Sequence, residues 1–242
     1  MEGALLPFFD FFDFKPTDIS QTVKCKCHDD TEESSKVSHI PLTLPRGKKS
    51  VSIRDLVKEF EAPEEVDYPG CIGRKALKSH SIKVKDNTLV LAIARGKKKS
   101  KKKSKKNSKP VTLFKENGVA LTVKGLKLKS FILHHGEGIN SGHYTSVVKL
   151  DHKWYHINGD NVKELKTTKF NESKFTNNVV VAVYGDTWGP TIDNVRGLKG
   201  VRNSCFLVSA LQILLHCNGF IDEADLDLEP KSESEDDDDP SA

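Results

Sequence analysis

Two runs of like charge decide where this chain can and cannot build a core. Between Lys97 and Lys109 stand nine lysines, separated only by serines and Asn107. Beyond the last apolar stretch, Asp222, Glu223, Asp225, Asp227, Glu229, Glu233, Glu235 and Asp236 to Asp239 face a single Lys231. Neither segment has the apolar groups to offset chain entropy and self-repulsion, so both are expected to be disordered. The 242 residues are therefore expected to form one folded domain over 1–219, interrupted by a Lys-rich insertion at 96–110 and followed by an acidic tail at 220–242. The net charge of +4 conceals this segregation.

No stretch approaches the roughly 20 apolar residues of a membrane span. Met1 to Phe14 carries acids rather than the basic start and apolar run of a secretory signal. Cys25, Cys27, Cys71, Cys205 and Cys217 make an odd number without a regular framework, which fits free thiols in a reducing compartment better than disulfides. An intracellular location, cytoplasmic or nuclear, and no membrane contact are expected.

Apolar periodicity places the elements. Residues 38–45, Ser81 to Val84 and Thr88 to Ile93 read as strands. Between them Ile53, Leu56, Val57 and Phe60 recur at helical spacing, with Ser52 as N-cap and Pro63 past the end. After the lysine run, Val119 to Val123, Ser130 to His134, Tyr144 to Leu150, Lys153 to Ile157 and Asn178 to Tyr184 are rich in β-branched and aromatic residues. Turn signals such as Asn117-Gly118 and Asn158-Gly159 separate them, which predicts an antiparallel sheet. Cys205 to His216 carries a broad apolar face and stops at Asn218-Gly219, as a buried helix capped by Asn203 or Ser204 would.

The chemistry centres on Cys205. A helix N-terminus presents free N–H groups and partial positive charge, which favour a thiolate and can hold the oxyanion of a tetrahedral intermediate. Spacing alone leaves Cys205 open between core residue and nucleophile, since most cysteines beside apolar helix residues simply pack. A second element is Ser141-Gly142-His143-Tyr144-Thr145-Ser146, followed by Trp154-Tyr155-His156-Ile157-Asn158-Gly159-Asp160-Asn161-Val162. A histidine at the start of one strand and an Asn at the end of the next can meet side by side, the amide fixing the tautomer of the imidazole that takes the thiol proton.

These residues resemble those of the ubiquitin-specific proteases. Gly197 to Leu207 with Ala210-Leu211-Gln212 is similar to the family's cysteine box. His135-Gly136, Ser141 to Ser146 and Trp154 to Val162 are similar to its histidine box. Thr22 to Cys25, Ile40 to Leu44, the helix near Ile53, Glu64-Glu65 and the Cys71 segment leading to Leu89 to Arg95 follow the order of its fingers and palm. The resemblance implies an α+β, papain-like cysteine peptidase fold. It also implies a thiol-dependent hydrolase acting after the C-terminal Gly-Gly of ubiquitin or a ubiquitin-like protein. In that reading Cys205 is the nucleophile, His143 its base and Asn158 the orienting residue. Asn203, Ser204 and Asp160 lie about the oxyanion, and Gly142 and Tyr144 border the channel for the ubiquitin tail; their bland alternative is that Tyr144 merely packs the sheet.

The family places its cysteine box first, whereas here it follows the last palm strand, which resembles a circular permutation joined through Gly185 to Asn194, or a truncated second copy from Gly197 onward. The family's oxyanion Asn corresponds to Gly200, and the acid after the third triad residue to Gly159. Its paired Cys-x-x-Cys metal sites are reduced to Cys25-Lys26-Cys27 and Cys71. A tetrahedral zinc site needs two well-spaced pairs, so neither metal nor cofactor is expected, although His28, His39 or His80 would be the candidates to complete one. Two other classes compete with the enzyme reading. A catalytically dead ubiquitin-binding module follows from Gly200 and Gly159, and a nucleic-acid contact through Lys97 to Lys109 follows from the charge run.

Overall fold

The computed structural model describes residues 17–47, 49–68, 75–84, 87–95, 109–136, 141–150, 152–166, 169–185, 198 and 204–214. Its first layer is a four-stranded antiparallel sheet built from β1 (Thr17–Cys25), β2 (His28–Val37), β5 (Glu64–Asp67) and β6 (Lys75–Val84), in the order β2-β1-β6-β5. Register runs from Thr17 opposite Val37 to Cys25 opposite His28 on one side of β1, and Ile19 faces Ile82 on the other. β2 reads His-Asp-Asp-Thr-Glu-Glu-Ser-Ser-Lys-Val and has no apolar alternation. It lies at the edge, where one row of backbone bonds to β1 suffices and charged side chains guard the open side.

The larger sheet has seven strands in the order β12-β11-β10-β9-β13-β7-β3. They are β3 (Ile40–Thr43), β7 (Thr88–Ala94), β9 (Lys127–His135), β10 (His143–Leu150), β11 (Lys153–Asn158), β12 (Asn161–Leu165) and β13 (Val179–Gly185). All pairings are antiparallel except β3 with β7, which is parallel, so strands from both halves of the chain share this sheet. β13, Val-Val-Val-Ala-Val-Tyr-Gly, is buried throughout. A continuous apolar strand of this kind belongs at the centre of a sheet covered on both faces. A short parallel pair, β4 (Val51–Ser52) with β8 (Val111–Thr112), completes the strands.

Helix α1 (Ile53–Glu61) starts at Ser52, whose hydroxyl accepts from the Asp55 N–H while the Asp55 carboxylate accepts from the Ser52 N–H, a reciprocal cap. It buries Ile53, Leu56 and Val57 against β3, β4 and β6. On this face of the large sheet lies an aromatic cluster in which Phe114 stacks on Phe170 at 4.4 Å and meets Trp154 edge-on at 5.5 Å. Phe131 and Phe175 close it, Phe175 coming from the short helix α2 (Ser173–Thr176). The opposite face carries Ile132, Val148, Ile157 and Val180, covered by Ala210 and Ile213 of helix α3 (Cys205–Leu214).

The strand expected over Val119 to Val123 is instead a pair of tight reversals with isolated bridges, Phe114 to Ala120 and Val123 to Leu126. The Asn117-Gly118 turn folds Val119 back so that its carbonyl accepts from the Lys115 N–H at 2.7 Å. Lys124-Gly125 reverses the chain again with φ of 50° and 81°. The sheet assigned to the second half of the sequence likewise recruits β3 and β7 from the first half. Among the helical residues expected up to His216, those after Leu214 lie outside the described residues, as does most of the lysine run. Lys109 and Pro110 at its end are held in the fold. The Lys109 carbonyl accepts from Arg95 at 2.8 Å, its ammonium donates to the Pro45 carbonyl, and the Pro110 carbonyl accepts from the Val51 N–H at 3.1 Å. Arg95 and Lys109, on either side of residues 96–108, thus meet, and among the described residues no helix is long and apolar enough to cross a membrane.

Candidate active site

β9, β10 and β11 present their ends together at one corner of the large sheet. His143 opens β10 directly opposite His135, the last residue of β9, with ring centroids 6.5 Å apart. Asn158 closes β11 on the other side of β10. The exposed His143 ring bonds through Nε2 to Asn158 Oδ1 at 2.5 Å. An amide oxygen only accepts, so Nε2 carries the proton and Nδ1 keeps its lone pair. A neutral imidazole held in this tautomer is a base whose free nitrogen is defined by its partner.

The backbone before His143 is unusually close-packed. Gly142 has φ of 144°, and a Cβ built on it would lie 2.3 Å from the His135 carbonyl oxygen and 2.5 Å from His134 Nε2. Gly136 has φ of 154°, with a Cβ position 2.6 Å from the Ser141 carbonyl oxygen. The chain itself therefore demands glycine at both positions, independently of any room left for a ligand. Gly159 has φ of 62° at the first central position of the Gly159-Asp160 hairpin joining β11 to β12, with nothing within 4 Å of its Cβ position. Its lack of an acidic side chain has a backbone reason, because a positive φ there favours glycine.

Cys205 is the first residue of α3, part-exposed, and the Ser204 carbonyl accepts the first helical bond from the Val208 N–H at 2.9 Å. The thiol therefore stands at the helix end where backbone N–H groups have no intrahelical partner. α3 packs across β10 and β9, and its first turn meets Tyr144, whose ring lies 6.5 Å from that of Phe206. Burial, then the charge of a Cys205 thiolate, pushes the Tyr144 phenol up to about 12. Tyr144 also lies 4.5 Å from the His134 ring. It is thus half-buried between His134 and Phe206, beside the thiol.

Of the residues singled out in the sequence, His143 joins Asn158 directly and Cys205 adjoins Tyr144. Among the described residues no hydrogen bond links Cys205 to His143. Ser204 precedes the helix, Asp160 is exposed in the hairpin turn, and Asn203 and Gly200 lie outside the described residues. Cys25 is disulfide-bonded, against the expectation of free thiols, and no metal-ligand cluster occurs among the described residues.

Sequence reasoning gave no role to a second polar group beside the pair. Thr145, 2% exposed, is bonded through its hydroxyl to Nε2 of His135 and Nε2 of His156, each at 2.9 Å. Burial, then the charges of Lys174, His143 and Lys163, hold the His156 imidazole below its usual pKa. The available signal was parity, since residues 143 and 145 share one face of β10, and 156 and 158 share one face of β11.

This architecture, mixed sheets with few helices, is the papain-like α+β fold of the ubiquitin-specific proteases. The family model for ubiquitin carboxyl-terminal hydrolase matches residues 7–184, and the chain belongs to that family. The match ends before Cys205. Similar solved structures include a SAGA Ubp8–Sgf11–Sus1–Sgf73 DUB module carrying a variant Ubp8, with a TM-score of 0.56 and 16% identity over 71% of this chain and 41% of that one. A second Ubp8–Sgf11–Sgf73–Sus1 SAGA DUB module gives a TM-score of 0.56 and 14% identity over 72% and 40%. The chain thus spans about two fifths of the length of these chains. Comparison with curated proteins finds no match.

Proposed function

We propose that this protein is a thiol-dependent deubiquitinase that hydrolyses the isopeptide or peptide bond after the C-terminal Gly-Gly of ubiquitin or a ubiquitin-like protein. The observation that carries the reading is the His143 Nε2 to Asn158 Oδ1 bond at 2.5 Å, within a chain of the ubiquitin carboxyl-terminal hydrolase family. Asn158 keeps His143 in the tautomer whose Nδ1 accepts the Cys205 proton. The thiolate attacks the scissile carbonyl, and His143 returns the proton to the leaving amine. Backbone N–H groups at Ser204 and Cys205, with Asn203, take the place of the side-chain donor lost at Gly200, and Asp160 stands next to the pair. Gly142 and Tyr144 border the path of the extended tail.

In this reading the domain is a circular permutation. The cysteine helix follows β13 in sequence yet covers the same sheet that carries His143 and Asn158. A second reading, a ubiquitin-binding module without turnover, is favoured by one observation: Cys205 adjoins Tyr144 and shares no hydrogen bond with His143 among the described residues. The two separate on Cys205→Ala. Hydrolysis of a ubiquitin C-terminal fluorogenic amide is expected to fall at least about a thousandfold, with the thermal unfolding midpoint unchanged. Turnover that survives the substitution sinks the nucleophile assignment, and wild-type protein that binds ubiquitin without hydrolysing it supports the second reading.

A further inference from the structure

Behind the His143–Asn158 pair the same three strands are tied a second time, through one hydroxyl. In the β10–β11 register Ser146 faces Ile157 and Val147 faces His156. The Thr145–His156 bond and the His143–Asn158 bond therefore cross between these strands with the same diagonal offset, two residues apart and on one face. Thr145 also reaches His135 on β9, whose ring is the cross-strand neighbour of His143.

A threonine hydroxyl has one hydrogen and two lone pairs. Bonded to two Nε2 atoms at 2.9 Å, it can donate to at most one of them, so at least one of the two imidazoles donates its Nε2–H to the hydroxyl. One hydroxyl thereby ties both strands flanking β10 to it. Thr145 is 2% exposed, so water cannot replace its hydroxyl cheaply, and losing it leaves two part-buried imidazole nitrogens without this partner.

We propose that Thr145 is a positioning residue: by bridging His135 and His156 it holds β9 and β11 in the register that lets Asn158 reach His143 and fix its tautomer. This rests on the reading of His143 as the base. A misplacement of such a pair by about 1 Å can cost about a hundredfold in rate. The conservative serine keeps the hydroxyl, whereas valine keeps the shape and removes it.

The test reads the His143 imidazole by nitrogen-15 NMR in the full chain and, in parallel, kcat and KM on a ubiquitin C-terminal fluorogenic amide. In wild type and Thr145→Ser, His143 is expected to show a single Nε2–H tautomer. In Thr145→Val the tautomers are expected to mix and kcat to fall about 10- to 100-fold with KM unchanged. His156→Phe removes one arm of the bridge and is expected to act in the same direction; it decides the matter if the valine variant does not fold. A valine or phenylalanine variant that folds with an unchanged His143 tautomer and unchanged kcat overturns the proposal. Wild type that shows the pure tautomer lost in Thr145→Val but has no hydrolytic activity supports the positioning role while refuting the enzyme reading.

Discussion

Through Oδ1, Asn158 serves His143 only as an acceptor, and this contact orients the imidazole with Nε2 towards the amide and Nδ1 away from it. Two residues away the His156 imidazole is held below its usual pKa chiefly by burial, then by the charges of Lys174, His143 and Lys163. Its folded pKa lies below its unfolded value of about 6.5, so as pH falls the unfolded chain takes up the proton first. Stability from this group is complete above about pH 6.5 and is lost as pH falls through the lower folded value. The urea midpoint is therefore expected to drop more steeply between pH 7 and 5 in wild type than in His156→Gln; equal slopes would remove His156 as the cause. The pair itself was legible in the sequence because glycine before a strand histidine and Asn before a hairpin turn are both local signals. The Thr145 bridge was not, because it depends on the β9–β10 and β10–β11 registers together, which no single segment contains.

Arg95 shows how an element boundary is secured in this fold. Nearly buried at 2% exposure, its guanidinium donates to the carbonyls of Val179 at 2.6 Å, Thr176 at 2.9 Å and Lys109 at 2.8 Å. Burial lowers its pKa to about 10, still well above neutrality, so it remains a cation. It joins the end of β7 to the start of β13 and to Lys109. Removing it leaves three carbonyls to find other donors, and Arg95→Ala is expected to cost about 3 kcal/mol in chemical denaturation. A loss below about 0.5 kcal/mol would show that solvent replaces the guanidinium freely. Elements with their own apolar period or cap, such as α1, β7 and β13, were legible from sequence. β2 was not, since its acidic and serine residues express no strand pattern and only pairing with β1 orders it. Val119 to Val123 misled for the opposite reason: its composition favours a strand, but the turns at Asn117-Gly118 and Lys124-Gly125 leave too few residues to pair.

Taken as one body, the chain assembles its large sheet from both halves of the sequence and then covers one face with a helix that follows the family match. Ala210 and Ile213 of α3 bury Ile132, Val148 and Ile157, so the cysteine helix is packed onto the sheet rather than appended to it. Hydrophobic burial fixes the helix body on the face of Tyr144, Val148 and Ile157, while His143 and Asn158 alternate onto the other face of the same strands. A cysteine at a helix start and a histidine at a strand start were readable as local signals, whereas their mutual placement depends on packing that neither segment contains. The central claim is that these two groups act together. It is tested most directly by incubating the full chain with ubiquitin bearing a C-terminal electrophile and mapping the product by intact-mass and peptide analysis. A covalent adduct on Cys205 that disappears in His143→Ala is the predicted result. An adduct that forms equally in His143→Ala, or none in well-folded wild type, would contradict it.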